Sequence, residues 1–393
     1  MLQTPVPGGG ARAAGRYPRF SEAEFARRRR VLHELMAERG VAHALLYGAE
    51  RSGTAVPWLT GWRVTREAAV LVTPGERDLL FVQFANHAPL AREIASDAEV
   101  HWGGPDTLES VCSAVARRIG GRPRIGVIGS LPFRHHAGLA RCADPVDLNP
   151  GYVALRLVKS GEELDWMRAG ARLSDLGIAA LEAGVRVGMT EHQLADLVQR
   201  AYVPLGGETH IHYFCLTAMD DPRRCVPAQF PSGRRVRSGD VLTVELSAAY
   251  WDYPGQVLRT WTVGVGPTPL YRRLHEVADT AYRAMLDVLR DGACPRELVA
   301  AASVIEEAGF TTCDDLVHGF GGGYLPPVLG SASRGHAPAG DSVTLRAGMT
   351  VVLQPNVVTL DGRAGVQTGE LVVVTASGAE RLHHAPGGLR RLA

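Results

Sequence analysis

The apolar pattern of this chain changes period once, near Leu155, and that change limits the fold more than any other feature of the sequence. Ahead of it, short apolar runs such as AHALLYG, AAVLVT, DLLFVQF and RIGVIGS alternate with helical stretches such as Thr107 to Ile119. Each run has strand length and is bounded by Gly, Pro or Asp. The alternation predicts an α/β domain ending near Asn149. It opens with an amphipathic helix over Ser21 to Arg39, in which Phe25, Val31, Leu32 and Leu35 recur at helical spacing, Ser21 is the N-cap and Gly40 the stop. The Arg27 to Arg30 run within that helix reads as a solvated face. After the change, Ser160 and Glu163 form a capping box ahead of a long helix. Further helices are expected at Thr190 to Tyr202, Pro269 to Leu289 and Pro295 to Ala308, with strands at Val241 to Ala249, Thr350 to Leu353 and Glu370 to Thr375. Strand pairs beside long helices predict α+β here and not a parallel βαβ sheet.

Domain limits of 21–150 and 155–393 follow, with residues 1–20 as a flexible tail that lacks the apolar h-region of a signal peptide. Composition closes several alternatives. With 46% hydrophobic positions the chain is globular, and 42 Lys plus Arg against 41 Asp plus Glu leave no positive field for nucleic acid or a membrane surface. Asp, Arg, Gly or Pro interrupts every apolar run short of a spanning helix, so a cytoplasmic protein is expected. The six cysteines form no CxxC, which excludes a zinc module or a disulfide scaffold.

Taken in order, the segments LRLVKSGEELDWMRAGARLSDLG, GMTEHQLADLV, SGDVLTVELSAAYWDYPGQVLRT, HGFGGG, AGMTVVLQPNVV and GVQTGELVVVTASGAERL resemble the pita-bread superfamily of methionine aminopeptidase, prolidase and creatinase. WLTGW at Trp58 to Trp62 extends the resemblance to the amino-terminal domain of prolidase and creatinase. It implies an α+β chain, a carboxy-terminal pita-bread domain preceded by a smaller α/β creatinase-type domain. The metallopeptidases of the superfamily hold two metals with two Asp, one His and two Glu. On this chain those positions fall on Glu245, Gln256, His318, Gln354 and Gly369, the last with Glu370 as its neighbour. One carboxylate, one imidazole and two neutral amides are a poor set for two divalent ions. The expectation is therefore no metal cofactor, with a single metal through His318 and Glu245 as the lesser alternative.

Creatinase shows by its example that the fold can hydrolyse a C–N bond without metal, although its catalytic His aligns with Ala228 here and its two glutamates with Leu258 and Thr368. His318 is the candidate acid/base, because imidazole titrates near neutrality, with Glu245 orienting it and supporting its charged form. Glu245 ends an apolar run and calls for a cationic partner, either Arg259, His318 or a ligand. Glu370 is a third catalytic candidate, or else a strand-end carboxylate. Gln256 and Gln354 are suited to orienting a small polar ligand by hydrogen bonds. His210 and His212 sit two apart, so that on a strand they share one face and line the pocket. Tyr253 and Tyr324 are weaker contact candidates. By resemblance the chain is a homodimer, in which Arg66 or Arg63 reaches the neighbour's pocket to fork a substrate carboxylate. The leading expectation is a metal-independent, creatinase-like hydrolase or lyase acting at a C–N bond of a small polar, amino-acid-like, guanidino or amide substrate. The alternatives are a non-catalytic binding protein on the same fold and a prolidase-like metallopeptidase.

Overall fold

The computed structural model describes residues 17–50, 52–334 and 343–392, so that the expected tail lies outside the described residues up to residue 16. The chain divides into two compact units between Arg156 and Leu157. In the first, a six-stranded sheet runs in the order Glu99–Trp102, Leu79–Val82, Glu67–Val72, His43–Ala49, Arg124–Ile128, Asp144–Asp147. The strands His43–Ala49 and Arg124–Ile128 at its centre pair in parallel, and their interior residues are buried on both faces, which explains why they read as continuous apolar runs.

The opening helix spans Glu22–Glu38, and the Ser21 side chain accepts from the Glu24 amide as its N-cap. Its arginine run is not a solvated face. Arg28 is fully buried, donating to Glu24 Oε1 and to the Trp58 carbonyl, both at 2.7 Å, with its guanidinium 4.0 Å from the centre of the Phe20 ring. Arg29 pairs with Asp78 and Asp97. Opposite charges and an aromatic face make the burial tolerable, and neither is visible from the run itself. The segment expected to join the domains is helical over Asn149–Leu155 and belongs to the first unit.

The second unit is built on a nine-stranded sheet of the described residues. Its main path runs Tyr324–Leu329, Val317–Phe320, Thr350–Leu353, Gly369–Val374, Tyr253–Val263, Asp240–Tyr250, Gly207–Ala218. Ala379–Arg381 and Arg390–Leu392 attach beside it. Directly opposed residues of antiparallel strands share a face. The register therefore places Glu245, Gln256, Gly369 and His318 on one face, the front, and Leu246, Arg259 and Glu370 on the back.

Two long helices, Gly161–Gly184 and Pro269–Val288, cover the back. The first carries the expected capping box, with both bonds between Ser160 and Glu163 made. It packs unusually close to the strand behind it because two glycines meet there. A Cβ on Gly170 would lie 2.3 Å from the Tyr253 carbonyl, and one on Gly255 2.3 Å from the Ala171 Cα. The second helix seals the main core, in which Tyr271, Leu274, Ala278 and Met285 meet Val317, Val351, Leu353 and Val372 from the back of the sheet. The stretch expected as one helix over Pro295 to Ala308 is broken into Pro295–Ala301 and Val304–Glu307.

Candidate functional site

At the middle of the front face, Gln256 ties the expected site together. Its buried Nε2 donates to Glu245 Oε1 at 2.9 Å and to Gln354 Oε1 at 3.0 Å. Gln354 in turn donates from Nε2 to the Asp315 carbonyl at 3.1 Å. With both neighbouring oxygens acting as acceptors, the orientation of the Gln256 amide is fixed by its partners. His318, fully buried on the adjacent strand, lies against the Tyr324 ring, the two ring centres 3.9 Å apart and their planes at 14°. The Tyr324 hydroxyl donates to Asp315 Oδ2 at 3.0 Å. The structure thus brings together Glu245, Gln256, Gln354, His318 and Tyr324, which lie far apart in the sequence.

It adds residues that the sequence reading passed over. Asp314, four residues ahead of His318, accepts from Asn356 Nδ2 at 2.8 Å and acts electrostatically on Glu245. The signal was the pair Asp314-Asp315 just before the VHG segment, two acids with no cation in sequence reach. Both Glu245 and Asp314 keep some solvent exposure. Burial of the surrounding shell, and then the Asp314 charge, push the Glu245 carboxyl up to about 8. Burial likewise pushes Asp314 up to about 7.

His318 differs from its expected state. Burial pushes its imidazole down to about 4, so that it is uncharged at neutral pH. The group facing its Nδ1 is the Gly319 carbonyl, at 3.2 Å, and not the Glu245 carboxylate. Nor does Glu245 gain a cationic partner from Arg259, because that arginine lies on the other face.

Glu370 and Arg259 are a back-face pair and do not belong to the cluster. Arg259 Nη2 lies 2.6 Å from Glu370 Oε2, Arg381 donates to Glu370 Oε1, and Tyr282 donates to the same oxygen at 3.1 Å. Burial alone would raise the Glu370 carboxyl, but the two guanidiniums outweigh it and hold it below the ordinary carboxylate value. Tyr253 also faces backward and donates from its hydroxyl to Glu163 Oε1 at 2.9 Å.

His210 and His212 do not share a face. A bulge between Thr209 and Ile211 leaves His210 without a register partner, and an extra residue reverses the alternation. His210 meets the front-facing Phe320, whereas His212 turns to the back and bonds Tyr202 at 2.8 Å. Arg66 is exposed at the head of strand Glu67–Val72 in the first unit.

The superfamily's two-metal centre does not fit these residues. The Gln256 amide directs N–H groups at both flanking oxygens, where a cation would need lone pairs. The fifth ligand position is Gly369, with φ 145° and a Cβ position only 2.0 Å from the Leu353 carbonyl, so that no side chain fits there without backbone change. Its neighbour Glu370 is spent on arginines across the sheet. Among the described residues no group of three or more His, Cys, Asp or Glu is arranged to hold a metal ion.

Comparison with known proteins agrees with the fold. Residues 165–376 match the model of metallopeptidase family M24. The chain is 25% identical over 229 residues to the Xaa-Pro dipeptidase of Pyrococcus furiosus, a match covering 58% of this chain and 63% of that enzyme. It is 22% identical over 388 residues to the creatinase of Bacillus sp. (strain B-0618), covering 94% and 93% of the two chains. Among solved structures, the Xaa-Pro dipeptidase from Bacillus anthracis superposes with a TM-score of 0.79 at 19% identity, over 94% of this chain and 100% of that one. The α+β pita-bread architecture with its smaller amino-terminal domain is therefore established, and the chain belongs to metallopeptidase family M24, in the branch of prolidase and creatinase.

Proposed function

We propose that the chain is a metal-independent hydrolase acting at a C–N bond of a small polar substrate. The observation that supports this most is the Gln256 amide, which bridges Glu245 and Gln354 in the place where the relatives' metal positions fall. In this reading neutral His318 is the base. It takes a proton from water as the water oxygen adds to the electrophilic carbon of the substrate, and the imidazolium so formed returns that proton to the departing nitrogen as the C–N bond breaks. Tyr324, stacked on the ring, and the Gly319 carbonyl hold the imidazole in place. Gln256, Gln354 and Glu245 position the substrate.

A second reading, a metal-dependent dipeptidase, draws on the dipeptidases among the relatives. Elemental analysis of the purified chain, before and after dialysis with manganese, cobalt and zinc, together with a proline-dipeptide assay, separates the two. The metal-independent reading expects no stoichiometric metal and no peptidase activity. Two equivalents of metal with peptidase activity would establish the second reading instead.

A further inference from the structure

Two cysteines of the first unit meet through their sulfurs. Cys112 Sγ and Cys142 Sγ lie 2.8 Å apart, although 30 residues separate them in the chain and no CxxC spacing announces the pair. Cys225 and Cys313, in the second unit, stand at the wider separation of 3.7 Å. The sulfurs of a disulfide are about 2.05 Å apart, so the first pair has to close by about 0.75 Å and the second by about 1.65 Å.

Packed backbone sets the first contact. Cys112 sits within helix Thr107–Arg118, and Cys142 ends helix Phe133–Cys142. The two helices approach closely at Gly138, where a Cβ would lie 2.6 Å from the Leu108 side chain. Leu108, Val111, Val115 and Leu139 of these helices share one apolar core, and both cysteines pack against it. The thiols nevertheless stay within reach of a small reagent. Each is half-buried, and both line a cavity of about 370 Å³ beside Arg134 and Arg141. Burial and the neighbouring Cys142 sulfur push the Cys112 thiol up to about 12, which makes its thiolate scarce and its exchange slow. The same burial does not oppose a disulfide, which carries no charge to desolvate.

We propose that Cys112 and Cys142 are a modification site that closes reversibly to a disulfide, with a low-molecular-weight disulfide as the oxidant. The thiolate of one cysteine attacks a sulfur of the small disulfide, forming a mixed disulfide and expelling one small thiolate. The thiolate of the second cysteine then attacks the protein sulfur of the mixed disulfide. The Cys112–Cys142 bond forms, the mixed bond breaks and the second small thiolate leaves. Both cysteine protons end on the two released thiols, and two electrons pass from the cysteines to the small disulfide. The closed ring encloses strand Arg124–Ile128 near the centre of the first sheet, so it cross-links the core of that unit. The site is independent of the chemistry assigned to the front face of the second unit.

The test exposes the full folded chain, first reduced with dithiothreitol and then freed of it, to glutathione disulfide at pH 8. Remaining thiols are blocked with N-ethylmaleimide in acidic denaturant, and the unreduced tryptic digest is read by mass spectrometry. Arg141 directly precedes Cys142, so trypsin places the two cysteines on different peptides. The expected result is loss of both thiols into one linked pair of peptides carrying Cys112 and Cys142 in most chains, with both thiols restored by dithiothreitol. Cys112 and Cys142 that remain free thiols, or that carry glutathione without a link between them, overturn the proposal. So does a Cys112–Cys142 link that forms only when the chain is exposed to glutathione disulfide in guanidinium chloride, because the folded contact would then play no part.

Discussion

Arg259 and Glu370 are joined at 2.6 Å on the back of the sheet, one strand position away from Leu258 and Gly369, whose side of the sheet carries the candidate site. A single step along each strand separates a structural ion pair from the chemical face. Glu370→Gln removes the charge that two guanidiniums share, leaving Arg259 buried and uncompensated. We expect a loss of about 3–5 kcal/mol in denaturant unfolding, with ligand affinity of the remaining folded protein unchanged. A stable Glu370→Gln protein that had lost its ligand binding would return Glu370 to the site.

Gly369 decides whether a metal centre can be rebuilt. Replacement by Ala forces a side chain into a φ of 145° and against the Leu353 carbonyl. The expected destabilisation is about 1–3 kcal/mol or more from backbone strain alone. Gly369→Glu, which restores the family's residue type, is expected to lower the melting temperature and to leave metal content at zero by elemental analysis. Metal uptake by that variant would show that the strand relaxes more easily than its contacts indicate.

The stability of the chain should fall as the pH rises toward 8. Glu245 is pushed up to about 8, from an unfolded value of 4.5. The folded state therefore binds more protons between these values, and the derivative of stability with pH is negative there. The loss begins above about pH 4.5 and levels off above about pH 8, with a limiting slope near 1.4 kcal/mol per pH unit for one proton. Glu245→Gln has no such proton to lose, so its melting temperature should exceed that of the unaltered chain increasingly from pH 5 to 8. Parallel profiles for the two proteins across that range would show that Glu245 is ionised throughout.

His318 should titrate far below an ordinary histidine. Burial holds its folded value near 4 against 6.5 when unfolded. Below pH 6.5 the unfolded chain takes up the proton first, so this residue costs stability progressively as the pH falls toward 4. Imidazole resonances followed by NMR, with the His318 signal assigned by its loss in His318→Gln, are expected to show His318 neutral at pH 5.5, as the likewise buried His212 is. A midpoint near 6.5 for His318 would restore the charged, carboxylate-supported imidazole that the sequence suggested.

Much of this protein was legible before its structure. The capping box at Ser160 and Glu163, the strand Thr350–Leu353 and the change of regime near Leu155 are local in origin, set by hydrogen bonds and apolar periodicity within a few residues. The ordered motifs named the fold, and they also placed Glu245, Gln256, His318 and Gln354 at the positions where the superfamily has its metal ligands. What failed was the assignment of faces. His210 and His212 were expected together, and one bulged residue divides them. Glu370 and Arg259 were expected at the site, and strand parity sends them to the back.

Tertiary structure alone decided the electrostatics. The state of His318 depends on how completely the fold buries it, and the charge of Glu245 depends on its own burial first and then on Asp314, sixty-nine positions away in the chain. Strand periodicity is a short-range property and can be read from one sequence. Desolvation and the pairing of charges are set by which distant segments the fold brings into contact, so the chemistry of this site appears only once the sheet is assembled.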